Sequence, residues 1–270
     1  MTLAPPSAQA PSALRQIWHV FRYQNLVFIR NPFSAVFSLA FPVMFLLLFG
    51  MLFGRQTDET GAAAIQFIVP SMIVFAVVAS TYMNLSIVVS MNRDDGILKR
   101  VRGTPVSSLH YLSARILSAV WWAFVGVVIQ VVVGVLVFDV EIIWRMFPAM
   151  LVTLVLGIAC FSALGMALAA VIPNGEAAPA IANATALPLL FVSGVFIPLE
   201  GAPGWVTAIG SVFPIRHFWL GLVDTFNPFH DGSGFAWDHL AVVAAWTLVG
   251  VAIAVAKFRW EARPGVGAKA

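Results

Sequence analysis

The chain has 270 residues, of which 60% are hydrophobic and only 10% charged, and its mean hydropathy is +0.93. Soluble domains carry roughly 25% charged residues to wet their surface, so 15 Lys and Arg with 12 Asp and Glu exclude a soluble globular fold and predict a polytopic membrane protein. A net charge of +3 is too small to read as nucleic-acid binding, and the cations gather in particular loops, as membrane topology requires.

In chain order, the segment 1–11 is rich in Pro, Ala and Ser and has neither a basic nor an apolar signal-peptide region. It is expected to be a disordered tail rather than a cleavable signal. Residues 12–31 follow as an amphipathic connecting helix. Leu14, Ile17, Trp18, Phe21 and Phe28 fall on one face, and Arg15, His19, Arg22 and Arg30 largely on the other. A basic amphipathic helix before a span lies in the membrane interface, with Trp18 at headgroup depth. The alternative is a helix packed on a soluble partner.

A membrane helix needs about 20 apolar residues to cross about 30 Å of hydrocarbon. Six windows qualify, at about Phe33–Phe53, Ile65–Ser90, Ser113–Phe138, Phe147–Ile172, Ala178–Leu199 and His239–Ala256. The fold class is therefore an all-α polytopic membrane protein, with six transmembrane helices over 32–256 and a cytoplasmic tail at 257–270. Arg115 is the only formal charge inside the windows, and its place near an end lets it snorkel. Twelve flanking cations lie on the side of the N-terminal helix, the second connection and the C-terminal tail, against Arg55, Arg145 and Arg216 on the other. Both termini are expected in the cytoplasm. The long apolar connection 200–238, broken by Pro203, Pro214 and Pro228, predicts short re-entrant or interfacial helices on the outer side, Gly204–Val212 among them.

Several chemistries have no motif here. There is no G-x-x-x-x-G-K-[ST], H-E-x-x-H or G-x-S-x-G, and Cys160 is the single cysteine. The histidines His19, His110, His217, His230 and His239 are dispersed and show no metal-ligand spacing. Gly232-Ser233-Gly234, near Asp231 and His239, reads as a turn rather than a hydrolase site. This chain is expected to be no enzyme, with no metal and no cofactor of its own. None of the six windows contains a carboxylate, which weakens proton-coupled antiport and charged-filter channels. The energy source is expected to be external.

Uncharged polar residues do occur in the windows. Ser80, Thr81, Asn84 and Ser86 cluster in the second, with Ser80 and Asn84 on one face at i, i+4. Asn183, Thr185 and Ser193 sit in the fifth, and Gln130 in the third. Such residues either glue helices together or line a pathway, and the sequence leaves both open. Gly157, Ala159, Ala163, Gly165 and Ala167 read as a packing face.

The connection Asn92–Pro105 is the most informative segment. Ile97, Leu98 and Val101 form a small apolar face ringed by Lys99, Arg100 and Arg102, with Asp94 and Asp95 suited to a helix N-terminus. Gly103 and Pro105 end it. The pattern is that of a docking knob for a soluble partner, or of a plain positive-inside loop.

With these residues in view, the chain resembles the transmembrane subunits of type-2 ABC exporters. The likeness rests on Asp95-Gly96-Ile97-Leu98-Lys99-Arg100 through Thr104-Pro105, on Tyr111-Leu112-Ser113-Ala114-Arg115, and on Phe191-Val192-Ser193-Gly194-Val195-Phe196-Ile197-Pro198 continuing to Pro203-Gly204-Trp205 and Phe213-Pro214-Ile215. It also rests on Asn31-Pro32 and Phe41-Pro42 in the first span. The resemblance implies a coupling helix over Gly96, Ile97, Leu98, Lys99, Arg100, Val101, Arg102, Gly103 and Thr104. Many family members carry Glu where Asp94 or Asp95 stands. It implies a partner ABC ATPase subunit in two copies, holding ATP and Mg, and a second permease, identical or paralogous, in a bacterial inner (plasma) membrane. It further implies alternating-access export of an amphipathic drug, antibiotic or lipid-like molecule. The alternatives are a polysaccharide or lipid-linked glycan exporter of the same plan, and a secondary carrier without an ATPase partner.

Overall fold

A computed structural model describes residues 12–30, 32–57, 61–102, 107–199 and 201–258. Predictions that fall on 1–11, on Gly103 and Thr104 or on 259–270 lie outside the described residues. Every regular element among those described is helical. The helices are α1 (Ala13–Arg30), α2 (Pro32–Phe53), α3 (Ile65–Val78), α4 (Asn84–Asp94), α5 (Ile97–Arg102), α6 (Ser108–Phe138), α7 (Phe147–Val171), α8 (Ala178–Val192), α9 (Gly204–Val212), α10 (Pro214–Val223) and α11 (Trp237–Lys257).

α3 and α4 are one continuous rod, joined by a π turn at Ala79–Met83. A π turn carries one residue more than the α ladder accommodates, and such turns are frequent at functional positions. Ser80 and Thr81 return their hydroxyls to the Ala76 and Val77 carbonyls at 2.8 and 2.6 Å. The spare hydrogen-bonding capacity of the turn is thus met within the rod.

Among the described residues, four helical segments are long and apolar enough to cross a bilayer: Ile65–Asp94, Leu109–Phe138, Trp144–Val171 and Trp237–Lys257. The pair Gly204–Val212 and Pro214–Phe226, bent by 93°, makes a fifth if it is counted as one broken span. The first and fifth windows correspond to α2 and α8. Of these, α2 runs 22 residues, whereas α8 (Ala178–Val192) is apolar but shorter than a full crossing. The expectation that the fifth helix runs to Leu199 is corrected: it stops at Val192. Ser193 forms its C-cap, and Gly194 adopts φ +87°, a conformation that glycine enters without the steric cost a side chain brings.

The rod α3–α4 and the helix α7 form the centre of the bundle. Val69, Ile73, Val74, Val77 and Val78 of α3 are fully buried. Close helix approaches occur at small residues. Gly250 of α11 meets the α7 backbone at Ala163 and Leu164, and Gly157 seats the ring of Phe218 from α10. Gly165 meets the backbone of the π turn at Thr81 and Tyr82. The packing-face reading of Gly157, Ala163 and Gly165 thus has named partners. α6 and α11 instead turn large apolar side chains outward, with Leu136 77% and Val255 80% exposed. On a multi-pass membrane protein such faces meet lipid or another subunit.

α10 is buried through Ile215, Phe218 and Leu222, whereas Trp205, Ile209 and Val212 of α9 are exposed. Trp219 Nε1 donates to Ser71 Oγ on α3 at 2.7 Å, and Trp246 Nε1 donates to the Val212 carbonyl at 2.9 Å. The bent pair is therefore pinned on both sides by indole donors rather than draped over the bundle.

Candidate functional site

The short helix α5 follows the rod after a single turn. Gly96 makes that turn with φ +69°, its N–H donating to the Arg93 carbonyl at 3.2 Å. Space is not what selects glycine, since nothing lies within 4 Å of where a Cβ would stand. The left-handed backbone does. α5 turns Leu98 fully inward and leaves Lys99 and Arg100 exposed, with Ile97 and Val101 half-buried. The apolar face expected to be offered to a partner is thus partly consumed. Leu98 anchors the helix, and the surface presented is basic, edged by Ile97. The side chain of Arg102 lies outside the described residues.

Behind α5 sits a clamp that the sequence reading did not identify. Arg93, one of the cations counted in the second connection, is 4% exposed. Its guanidinium donates to the Ala169 carbonyl at 3.0 Å and the Ile172 carbonyl at 2.8 Å. These belong to the last turn and cap of α7, where carbonyls lack helical partners and a cation is favoured by the helix dipole. Arg93 Nε also pairs with Asp94 Oδ1 at 3.4 Å, the one ion pair among the described residues. The other Asp94 oxygen accepts the Gly175 N–H at 2.5 Å. Asp94 therefore binds the α7–α8 connection and does not serve as an α5 dipole residue. A side chain at 175 would meet Met91 Cα at 2.8 Å, so this connection lies directly on the α4 backbone. Asn174 Oδ1 accepts the Ala177 N–H at 2.8 Å, starting α8 at once. The end of α4, the end of α7 and the beginning of α8 are one joined unit, a single turn from α5.

The six polar candidates do not converge on one site. Ser80 and Asn84 share a cleft with Phe28, Arg115, Ser118 and Trp122. Arg115 donates from Nη2 to Asn84 Oδ1 at 3.0 Å, so the expectation that it extends outward to snorkel is corrected: its guanidinium is held inside the bundle. Thr81 is buried against its own helix. Thr185 of α8 accepts from Tyr82 OH at 2.9 Å and back-bonds to the Ile181 carbonyl at 2.8 Å, which ties α8 to the π turn. Asn183 donates to the Pro179 carbonyl at 2.7 Å and is half-buried. Ser193 is fully buried at the α8 cap.

α1 lies along α6. His110 Nδ1 is 2.8 Å from Gln16 Oε1, Ser118 Oγ donates to Asn25 Oδ1 at 3.2 Å, and the rings of Phe28 and Trp122 stand 4.5 Å apart. Ile17, Phe21 and Phe28 are half-buried, while Leu14 and Trp18 are exposed, as is Arg22. The apolar face of this helix is thus divided between α6 and the surroundings.

Two histidines that are far apart in sequence meet at the opposite end. His217 Nδ1 and His239 Nδ1 are 3.0 Å apart, and His217 Nε2 reaches the Ser211 carbonyl at 2.8 Å. No group of three metal-ligating side chains occurs among the described residues.

Comparison with known proteins supplies the family. The family model described as ABC-2 type transporter matches residues 15–227, from α1 to the turn after α10. A Bacillus subtilis (strain 168) protein named as a transport permease, YvfS, is 24% identical over 188 residues, covering 66% of this chain and 71% of its own length. Multiple apolar helices, a basic helix between two spans and a match over most of the length lead to one conclusion: the chain belongs to the ABC-2 type transporter family, as a multi-pass membrane permease subunit of an ABC transporter, a family whose members generally work with an ABC ATPase subunit.

Proposed function

We propose that this chain is the permease of an ATP-driven exporter, that α5 is its coupling helix, and that the Arg93–Asp94 clamp passes motion from α5 to α7 and α8. The observation that carries the proposal is the adjacency of a basic exposed helix (Lys99, Arg100) and a buried clamp holding three helix ends together. A push on an isolated loop would dissipate. Here it reaches packed elements, which move as bodies rather than deform. ATP and Mg belong to two copies of the partner subunit, and a second permease completes the pathway. Both termini are cytoplasmic, α2 and α8 complete six spans, and α9–α10 is a re-entrant element on the outer side.

For cargo the proposal is an amphipathic molecule. Phe45, Phe75, Phe191 and Phe196 form a chain of ring contacts between α2, α3 and the end of α8, with Phe75–Phe196 and Phe191–Phe196 centroids each 5.1 Å apart. Phe191 is 48% exposed, so this apolar cluster reaches the α8 surface, on the same helix as Asn183. Adaptable apolar walls with scattered polar groups suit amphiphiles. A lipid-linked glycan exporter of the same plan is the alternative, and a substrate panel on the reconstituted complex decides between them.

The coupling assignment is tested by Lys99→Glu with Arg100→Glu. Reversing exposed interface charges juxtaposes like charges, and transport by the reconstituted complex is expected to fall by about tenfold or more, since each ~1.4 kcal/mol lost is a factor of ten. Thermal stability of the permease alone should stay unchanged. Undiminished transport would remove the docking role. Leu98 is unsuited to this test, because its burial makes any polar substitution a folding defect. Topology is tested by single cysteines at Ser107 and Ser233, both exposed. Cys160 is fully buried and gives a silent background. Labelling of 107 is expected only from the cytoplasm and of 233 only from outside, and the reverse pattern would invert the chain.

A further inference from the structure

We propose that the cleft between α1, the π turn and α6 is a binding site for the anionic headgroup of a phosphate-bearing amphiphile, with Arg115 as its ligand. Arg115 stands seven residues into α6, about 10 Å along the helix at 1.5 Å per residue.

A cation inside a membrane bundle is costly unless paired, and the described residues give Arg115 no carboxylate. The one ion pair among them is Arg93–Asp94. Its protein partner is the neutral amide of Asn84 at 3.0 Å, while its Nε is shut off from solvent and meets no protein acceptor. A second indole or guanidinium donor in the same cleft is in the same condition. Trp122 Nε1 is buried without an acceptor.

An unmatched indole N–H beside a guanidinium whose own Nε is unmatched is complementary to an oxyanion with several acceptor oxygens. Phosphate supplies these and engages Arg through paired N–H···O bonds. Phe28 and Trp122 pack ring to ring beside it, and Leu39 and Ala119 complete an apolar wall. Next to this face of α6, Leu117 and Trp121 are 43% and 47% exposed, offering an apolar strip on which a chain attached to the phosphate can lie. Basic pockets between membrane helices are known hosts for anionic headgroups. The site stands on the geometry of the cleft and is independent of the transport reading.

The test uses the full chain, purified in neutral detergent, with thermal unfolding as the readout. Added phosphatidylglycerol or dodecyl phosphate is expected to raise the midpoint, and phosphatidylcholine is not. Arg115→Gln is expected to abolish the shift, and Arg115→Lys to keep part of it. Trp122→Phe, which removes the N–H and part of the ring system but keeps an aromatic ring facing Phe28, is expected to weaken the apparent affinity by about tenfold, the loss of one charge-assisted bond. This variant keeps the test decisive if Arg115→Gln fails to fold. Native mass spectrometry identifies the source. Phospholipid retained by wild type and lost in the Arg115 variants marks a resident lipid. A shift with dodecyl phosphate and no retained lipid marks a transported amphiphile. Either result supports the site. Equal shifts in wild type, Arg115→Gln and Trp122→Phe, or no shift with any anionic probe, would overturn it.

Discussion

Arg93→Ala is expected to destabilise the permease by about 3 kcal/mol or more, the scale for removing one partner of a buried charged network. The loss has three parts. Two carbonyls at the α7 terminus are left without donors, Asp94 loses its cation, and a cavity opens where the guanidinium packed. Thermal unfolding of the purified chain measures it. Arg93→Lys should recover less than half, because a point charge cannot serve two carbonyls and a carboxylate together. Asp94→Asn should be milder, since one amide oxygen still accepts from Gly175. The same series separates stability from coupling. At a temperature where Asp94→Asn is fully folded, its motor ATPase should run with reduced transport. A variant that is stable at wild-type level after Arg93→Ala would show the clamp to be dispensable.

The second large effect is expected at Gly165. A methyl group there would come within 2.7 Å of the Thr81 carbonyl oxygen and 3.0 Å of that of Tyr82. Both are backbone atoms of the π turn and have no rotamer with which to yield. Gly165→Ala is expected to cost about 1–3 kcal/mol, as overpacking generally does, and Gly165→Val more. Gly126 provides the internal comparison. A methyl group there meets only side-chain atoms at 3.7 and 3.8 Å, ordinary contact, so Gly126→Ala should be close to neutral. If both alanine variants unfold at the wild-type temperature, the close approach of α7 to the π turn is wrong.

The amount legible from sequence differs element by element. Long apolar runs located α3–α4, α6, α7 and α11 because hydropathy is local. Gly204–Val212 was foreseen to the residue, because Pro203 and Pro214 bracket it. The fifth window overran because Val195, Phe196 and Ile197 prolong the apolar signal past the glycine that ends the helix. Arg93 illustrates the harder limit. In sequence it is one basic residue among several, and its partners lie 76 and 79 positions away. Charge counting cannot distinguish a solvated cation from a helix cap. The same holds for His217 and His239, 22 positions apart and joined only by the fold. Asn84 and Ser80 were paired correctly by helical spacing, but Arg115 beside them was read as an end residue since nothing in α6 points to α4.

The π turn also bears on how the chain tolerates insertion and deletion. Its five residues, Ala79–Met83, fix the rotational phase between the two halves of the central rod. Removing one of them would restore an unbroken α ladder and leave the far half nearly in phase, because the turn holds one residue more than that ladder needs. Removing a residue from α4 instead would rotate everything beyond it by about 100°, the angle of one residue at 3.6 per turn, and Arg93 would turn from the α7 terminus. The same one-residue deletion is thus absorbed at the π turn and misaligns the clamp a few residues later.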